Sequence, residues 1–209
     1  MAGTAASKLK VKNYFPGMLA GSQIPQSPPL LRISCDLYHE MIRNGSLKED
    51  NKIELIDGYL FTKVSIGSLH SAVVSKLERF LHRILKDDVI VRGQNPITIH
   101  EYSEPEPDVV VAKYRGDFYA NRHPYPEDVA LVIEVADTSL SFDREAKVPL
   151  YASCGIQETW LVDLNAKDVT AYRKPDGARY TEKAVFRSGD TLPVPGTGGA
   201  SLAVAELGL

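Results

Sequence analysis

The 209-residue chain has only two cysteines, Cys35 and Cys154. They lie far apart and in no metal-binding spacing, so neither a disulfide framework nor a thiolate zinc site is expected. They read as free thiols in a reducing compartment. No run of about 18 apolar residues occurs, so no membrane-spanning helix is expected. The opening residues, MAGTAASKLKVKNYF, lack the continuous apolar stretch of a signal peptide. A cytoplasmic location is the resulting expectation. A strong basic excess is missing too: 24 Lys and Arg face 27 Asp and Glu, for a net charge of −3. That excludes coating nucleic acid through bulk positive charge, but not gripping it locally. Neither helix-turn-helix nor zinc-finger spacing is present, which leaves no basis for sequence-specific readout. There is no internal repeat and no low-complexity tract.

What is present suffices for one sizeable core, with 44% hydrophobic residues. The expected organisation is a flexible Gly- and Pro-containing tail over residues 1–30 and a single domain over 31–209. Ser34 is a good N-cap for a helix over 35–44, and Gly45 is its stop. Asp57-Gly58 in IELIDGYLFTKVS marks a two-residue hairpin turn. Ser68 is placed to cap a helix over 69–85, whose Leu69, Val73, Leu77, Phe80, Leu81 and Ile84 follow the helical period. Residues 89–91 and 96–100 read as short strands. Asp108 then opens the Val-rich strand DVVVA. Residues 113–128 are polar and aromatic, a long excursion of the kind that often carries function.

The stretch 129–163 has the strongest pattern. Residues 129–135 are apolar except for Glu134, the signature of a strand buried on both faces. A helical segment with Asp143, Glu145 and Lys147 follows, and then a second apolar strand over 159–162. Strand, helix, strand at this length is a crossover unit. Beyond Asp163 the pattern turns to a β-meander over 169–173, 180–186 and 192–194, with a turn at Pro175-Asp176-Gly177.

Four charged residues interrupt elements that should be buried: Glu54 on the hairpin, Asp108 after Pro107, Glu134 within its strand, and Lys147 on the following helix. A carboxylate in such a strand is costly unless it is paired, hydrogen-bonded or bound to a cation. Carboxylates at adjacent strand ends make a hard oxygen site suited to Mg2+ or Mn2+. A nearby ammonium could orient a water and face a phosphate. Each residue could equally be a rim charge, and Asp108 meets Glu134 only if their strands are neighbours. Asp143, one turn before Lys147, reads as a helix N-terminal charge or a lysine partner.

Pro107-Asp108, Ile133-Glu134-Val135, Asp143-Arg144-Glu145-Ala146-Lys147, Leu150-Tyr151, Gly155-Ile156, Glu158 and Trp160-Leu161-Val162-Asp163 together resemble the Uma-type family of restriction-endonuclease-like proteins, within the PD-(D/E)XK nuclease superfamily. Glu54-Leu55-Ile56-Asp57-Gly58 and His70 fit as well, and the resemblance covers roughly residues 34–207. It implies an α/β restriction-endonuclease-like core, a central mixed sheet flanked by helices. Asp108 would be the Asp of the PD element and Glu134 the acid of the (D/E)XK element. The third position of that element should be lysine, but here it is Ala136. In the resembled family the lysine moves to the next helix, where Lys147 stands. Glu54 would shape the site or a second metal position, and the Val135 main-chain carbonyl would be a further metal ligand.

The activity implied is Mg2+- or Mn2+-dependent hydrolysis of phosphodiester bonds in DNA. Asp108 and Glu134 would bind the metal and Lys147 would orient the attacking water. His70 and Gln94 are candidates for the pocket lining, against bland readings as a helix-start histidine and a loop amide. Arg92, Lys113, Arg115, Arg122 and Arg144 are candidate DNA contacts, interleaved with Tyr114, Phe118, Tyr119 and Tyr125. A solvated loop with a small aromatic cluster is the bland alternative. His39, His82, His100 and His123 carry no pattern. A homodimer is expected. Two other functional readings stand beside the nuclease: an inactive nuclease fold kept for binding or regulation, and a metal-dependent hydrolase of a smaller phosphate ester.

Overall fold

The computed structural model describes residues 31–48, 53–63, 66–85 and 88–209. The expected tail over residues 1–30 lies outside them, as does Ser65 at the end of the hairpin reading. Leu31–Leu209 form one compact unit.

Helix α1 spans Cys35–Arg43, with the Ser34 side chain accepting from the Leu37 N–H as its N-cap. The hairpin follows as β1 (Ile53–Ile56) and β2 (Tyr59–Thr62), with Ile56 opposite Tyr59. Asp57 and Gly58 both have positive φ, 53° and 82°. A two-residue turn that matches strand twist demands this, and Asp-Gly supplies it at low cost. Helix α2 runs Ser68–Ile84. Its N-cap is Gly67, not Ser68, and no side chain caps it. The helix therefore begins one residue earlier than a serine cap would require.

A six-stranded sheet carries the molecule: β3 (Val89–Gly93), β4 (Val109–Lys113), β5 (Val129–Ala136), β6 (Glu158–Asp163), β7 (Asp168–Asp176) and β8 (Arg179–Arg187), side by side in chain order. Only β5 and β6 pair in parallel, the crossover expected from the sequence; the other neighbours are antiparallel. The sheet is thus mixed, and of the meander expected over 169–173, 180–186 and 192–194 only the first two strands, β7 and β8, pair within it. β9 (Thr191–Pro193) leaves that sheet and pairs with β10 (Ser201–Ala203) as a separate ribbon. Residues 96–100 are not a strand of the sheet. They contribute one isolated bridge, Ile99 to Ser103, and tie to the chain through Ile97 N–H to the Pro105 carbonyl at 3.0 Å.

Strand alternation sorts the core into two layers. Val109, Val111, Leu131, Ile133 and Val135 face α2 and pack with its Val73, Leu77 and Leu81. On the opposite face, Val110, Ala112 and Val132 pack with Ile97, Tyr119, Tyr151 and Ile156. Ala136 and Leu161 share that second face with Val148. The layer there is the crossover itself: a short α-turn α3 (Leu140–Phe142), a π-helical turn (Asp143–Lys147) and α4 (Val148–Ser153). Pro149 explains the π-turn. It has no N–H to donate to the carbonyl four residues back, and its ring crowds that carbonyl. The chain opens by one residue before it, and the Val148 N–H bonds instead to the Asp143 carbonyl.

Candidate active site

Asp108 and Glu134 stand on neighbouring antiparallel strands. Val109 pairs with Ile133, so one further step of the same register sets Asp108 opposite Glu134. Glu134 alternates with Ile133 and therefore points to the face covered by the crossover helix, as does Asp108. Both are almost fully buried, at 8% and 2% exposed. Lys147 reaches them from that helix, at 4% exposed. Its Nζ lies 3.0 Å from Glu54 Oε2, 3.4 Å from Glu134 Oε1 and 3.7 Å from Asp143 Oδ1.

Glu54 arrives from the hairpin, which is clipped onto the segment leading into Asp108. The Glu104 N–H donates to the Leu55 carbonyl at 2.7 Å, and the Glu106 N–H donates to Glu54 Oε2 at 3.3 Å. Asp143 is held by the Ser139 hydroxyl at 2.6 Å. The lysine-partner reading of Asp143 thus agrees with its place.

The hydrogen bonds divide each strand carboxylate into two unlike oxygens. Asp108 Oδ2 accepts from the Val135 main-chain N–H at 2.8 Å and lies 3.2 Å from His70 Nε2. Glu134 Oε1 accepts from the Tyr151 hydroxyl at 2.6 Å and faces Lys147. Among the described residues, Asp108 Oδ1 and Glu134 Oε2 have no such donors. The buried His70 Nδ1 has no hydrogen-bond partner among them.

Three buried carboxylates, Glu54, Glu134 and Asp143, lie against one ammonium with Asp108 as a further buried carboxylate beyond them, and the electrostatics follow from that imbalance. Burial, reinforced by the charges of Asp143, Asp108 and Glu54, pushes the Glu134 pKa up to about 8 despite Lys147. Asp143 is raised by burial as well. Burial alone would favour a neutral Lys147, but Glu134, Glu54 and Asp143 outweigh it and raise the lysine above its usual range. Asp108 goes the other way: burial is overcome by His70 and the Val135 N–H, which hold its pKa low. The Asp108 hydrogen bond raises His70 against its own burial.

The donor set fits a small hard divalent cation. It consists of oxygens, carries excess negative charge, and leaves one oxygen free on each of two opposed carboxylates. Among the described residues, no three His, Cys, Asp or Glu side chains gather closely enough to hold an ion alone. Mg2+ does not need them, since it commonly keeps waters and takes one or two carboxylates with substrate oxygens.

Of the expected site residues, Asp108, Glu134, Lys147, Glu54 and His70 come together. Val135 joins them through its main-chain N–H. Gln94 meets Asp108 through its backbone, its N–H donating to the Asp108 carbonyl at 3.0 Å, while its side chain is exposed. The candidate DNA contacts make no ion pair with these carboxylates. Arg115 is bound to Asp117 at 2.8 Å, and Arg144 lies 3.8 Å from Asp163. Lys113 is exposed at the end of β4. Arg92 lies over the Tyr119 ring at 5.5 Å and Arg115 at 5.4 Å. Tyr151 received no role from the sequence. Its signal was its spacing, four residues after Lys147 and eight after Asp143, on the same helix face.

A mixed sheet with opposed carboxylates at the ends of two neighbouring strands, and a lysine from the crossover helix, defines a nuclease-like α/β fold of the restriction-endonuclease type. A solved structure supports that class: a "putative nuclease belonging to DUF820" from Anabaena variabilis superposes with a TM-score of 0.65 at 18% identity, covering 84% of this chain and 97% of that one. The sequence profile of Uma2, described as "Putative restriction endonuclease", matches residues 35–205, and the chain belongs to that family. No curated protein matches it. Among the described residues, no helix is long and apolar enough to cross a membrane.

Proposed function

We propose that the chain is a Mg2+- or Mn2+-dependent endonuclease that hydrolyses phosphodiester bonds in DNA. The observation that carries this reading is the Asp108–Glu134 pair, each with one oxygen held by the protein and one left free, beside the Lys147 ammonium. Asp108 Oδ1 and Glu134 Oε2 would hold the ion, with the Val135 main-chain carbonyl as a further ligand. When bound, the ion supplies Lewis-acid polarisation of the scissile phosphate and neutralises its charge. Lys147 orients the water that attacks in line and brings positive charge to the phosphate. Glu54 and Asp143 hold the Lys147 side chain in place, and His70 fixes Asp108. Arg92, Lys113, Arg115 and Arg144 would meet the DNA backbone outside the site. The protein would act in the cytoplasm, as a homodimer.

Plasmid cleavage with Mg2+ or Mn2+ tests the proposal. Wild-type protein is expected to nick or linearise the plasmid, and Asp108→Ala and Glu134→Ala to abolish this without loss of fold by circular dichroism. Absence of metal-dependent cleavage, or cleavage that survives both substitutions, overturns it. Turnover of nucleotides with none of polynucleotides would point to a hydrolase of smaller phosphate esters.

A further inference from the structure

We infer that Tyr151 is a positioning residue of the metal site: its hydroxyl holds Glu134 Oε1 so that Oε2 is turned to Asp108. The inference rests on the metal-site reading above and extends it to a residue that touches neither substrate nor reacting atoms.

Three observations support it. First, the geometry is short and exclusive. The Tyr151 hydroxyl donates to Glu134 Oε1 at 2.6 Å, and the Tyr151 side chain is 0% exposed. A phenol buried that deeply must find an acceptor, and among the described residues this carboxylate is the one it has. Second, the ring is anchored independently of its hydroxyl. It packs among Val110, Val132 and Ile156, in the apolar layer under the sheet. The hydroxyl is therefore delivered to Glu134 by a rigid support, which a flexible lysine stem does not provide.

Third, the other donor to Oε1 is shared. Lys147 sits 3.4 Å from Oε1, closer to Glu54 at 3.0 Å, and has Asp143 at 3.7 Å. A lysine that turns toward water or phosphate leaves Glu134, and Tyr151 then remains its protein donor. Asp108 has a matching arrangement, with Oδ2 occupied by the Val135 N–H and His70. Both carboxylates are thus fixed through one oxygen and presented through the other. Without the phenol, Glu134 can rotate, and either oxygen can turn to Lys147.

The test is Mn2+ binding to wild type and Tyr151→Phe, followed by calorimetry and by electron paramagnetic resonance in the absence of DNA. Removing only the hydroxyl keeps the ring in the core. The expected result is a Kd for Mn2+ weakened by about 10- to 100-fold. The metal-free melting temperature should stay within a few degrees of wild type. Wild-type affinity in Tyr151→Phe overturns the inference and leaves the metal site standing. No Mn2+ binding by wild type overturns both. A second measurement needs no Tyr151→Phe protein. With 3-fluorotyrosine in the wild-type chain, the resonance of position 151 should shift on titration with Mg2+ with the Kd that calorimetry gives for Mg2+, while that of Tyr180, bonded to the Ile156 carbonyl, should not. A position-151 resonance that ignores saturating Mg2+ overturns the inference too.

Discussion

Ala136 and Lys147 explain each other through packing. The (D/E)XK pattern would place a lysine two residues after Glu134, on the same face of β5. Here that position is fully buried and filled by a methyl group against Val148 and Leu161. A lysine there would have to displace the crossover helix, and overpacking a close-packed layer is destabilising. The small residue lets the helix approach, and the helix then carries the ammonium into the site itself. Glu134 bears the electrostatic consequence. With its pKa raised to about 8, the folded chain binds a proton that the unfolded chain has lost above the ordinary carboxylate range. Its contribution to stability is therefore fully present below that range and is lost as pH rises to about 8. Metal-free protein is expected to melt at progressively lower temperature between about pH 5 and pH 8, and Glu134→Gln to flatten that slope. Melting curves across the interval check this; a Glu134→Gln slope equal to wild type contradicts it. Divalent binding near neutral pH should likewise release a proton from this group.

The elements that place these residues differ in how far the sequence reveals them. Asp57-Gly58 states its turn outright, because only particular residues accept positive φ in succession at low cost. The apolar stripe of α2 and the run over β5 are equally plain, since burial on one face or two imposes a period that any window of the chain displays. The neighbouring of β4 and β5 is not plain. Nothing local in DVVVA says which strand it will pair with, and register is a property of two segments together. The carboxylate pair was readable as two residue types, but not as a cross-strand pair with a free oxygen each. Residues 96–100 misled for the same reason: Ile97 and Ile99 alternate like a strand, yet their apolar side chains fill the layer beneath the sheet instead of extending it.

The π-turn was also hidden, because its cause, Pro149, lies in the turn that follows. Its consequence is testable. Pro149→Ala would restore a donor and allow regular α-helical winding, which rotates Lys147 by about 100° relative to the segment behind it. The expected result is an intact fold by circular dichroism with cleavage slowed by about 100-fold, as a misplaced catalytic group costs. Cleavage at the wild-type rate would show that the π-turn does not set the lysine.

Over the whole molecule, one sheet separates two tasks. The face toward α2 is apolar from Val73 to Leu207 and supplies stability. The opposite face is apolar in its middle and charged at one end, where strand ends, hairpin and crossover helix meet. A buried Lys with three carboxylates is weak support for stability, since desolvation consumes much of the attraction. The cluster makes sense as a functional device instead, since the excess of carboxylates over ammonium is what a cation would relieve. Net charge and composition said nothing of this, because the imbalance is local. Of the expected DNA contacts, Arg115 and Arg122 are tied to Asp117 and Asp128. Affinity for a polyanion must then draw on exposed groups such as Lys113 and on the metal site itself. The most direct test of this account is a crystal of the protein soaked in Mn2+, with the ion located by its anomalous scattering. The account predicts an ion touching Asp108 Oδ1 and Glu134 Oε2, with Tyr151 still bonded to Glu134 Oε1. An ion bound elsewhere, or none between the two carboxylates at saturating Mn2+, would contradict it.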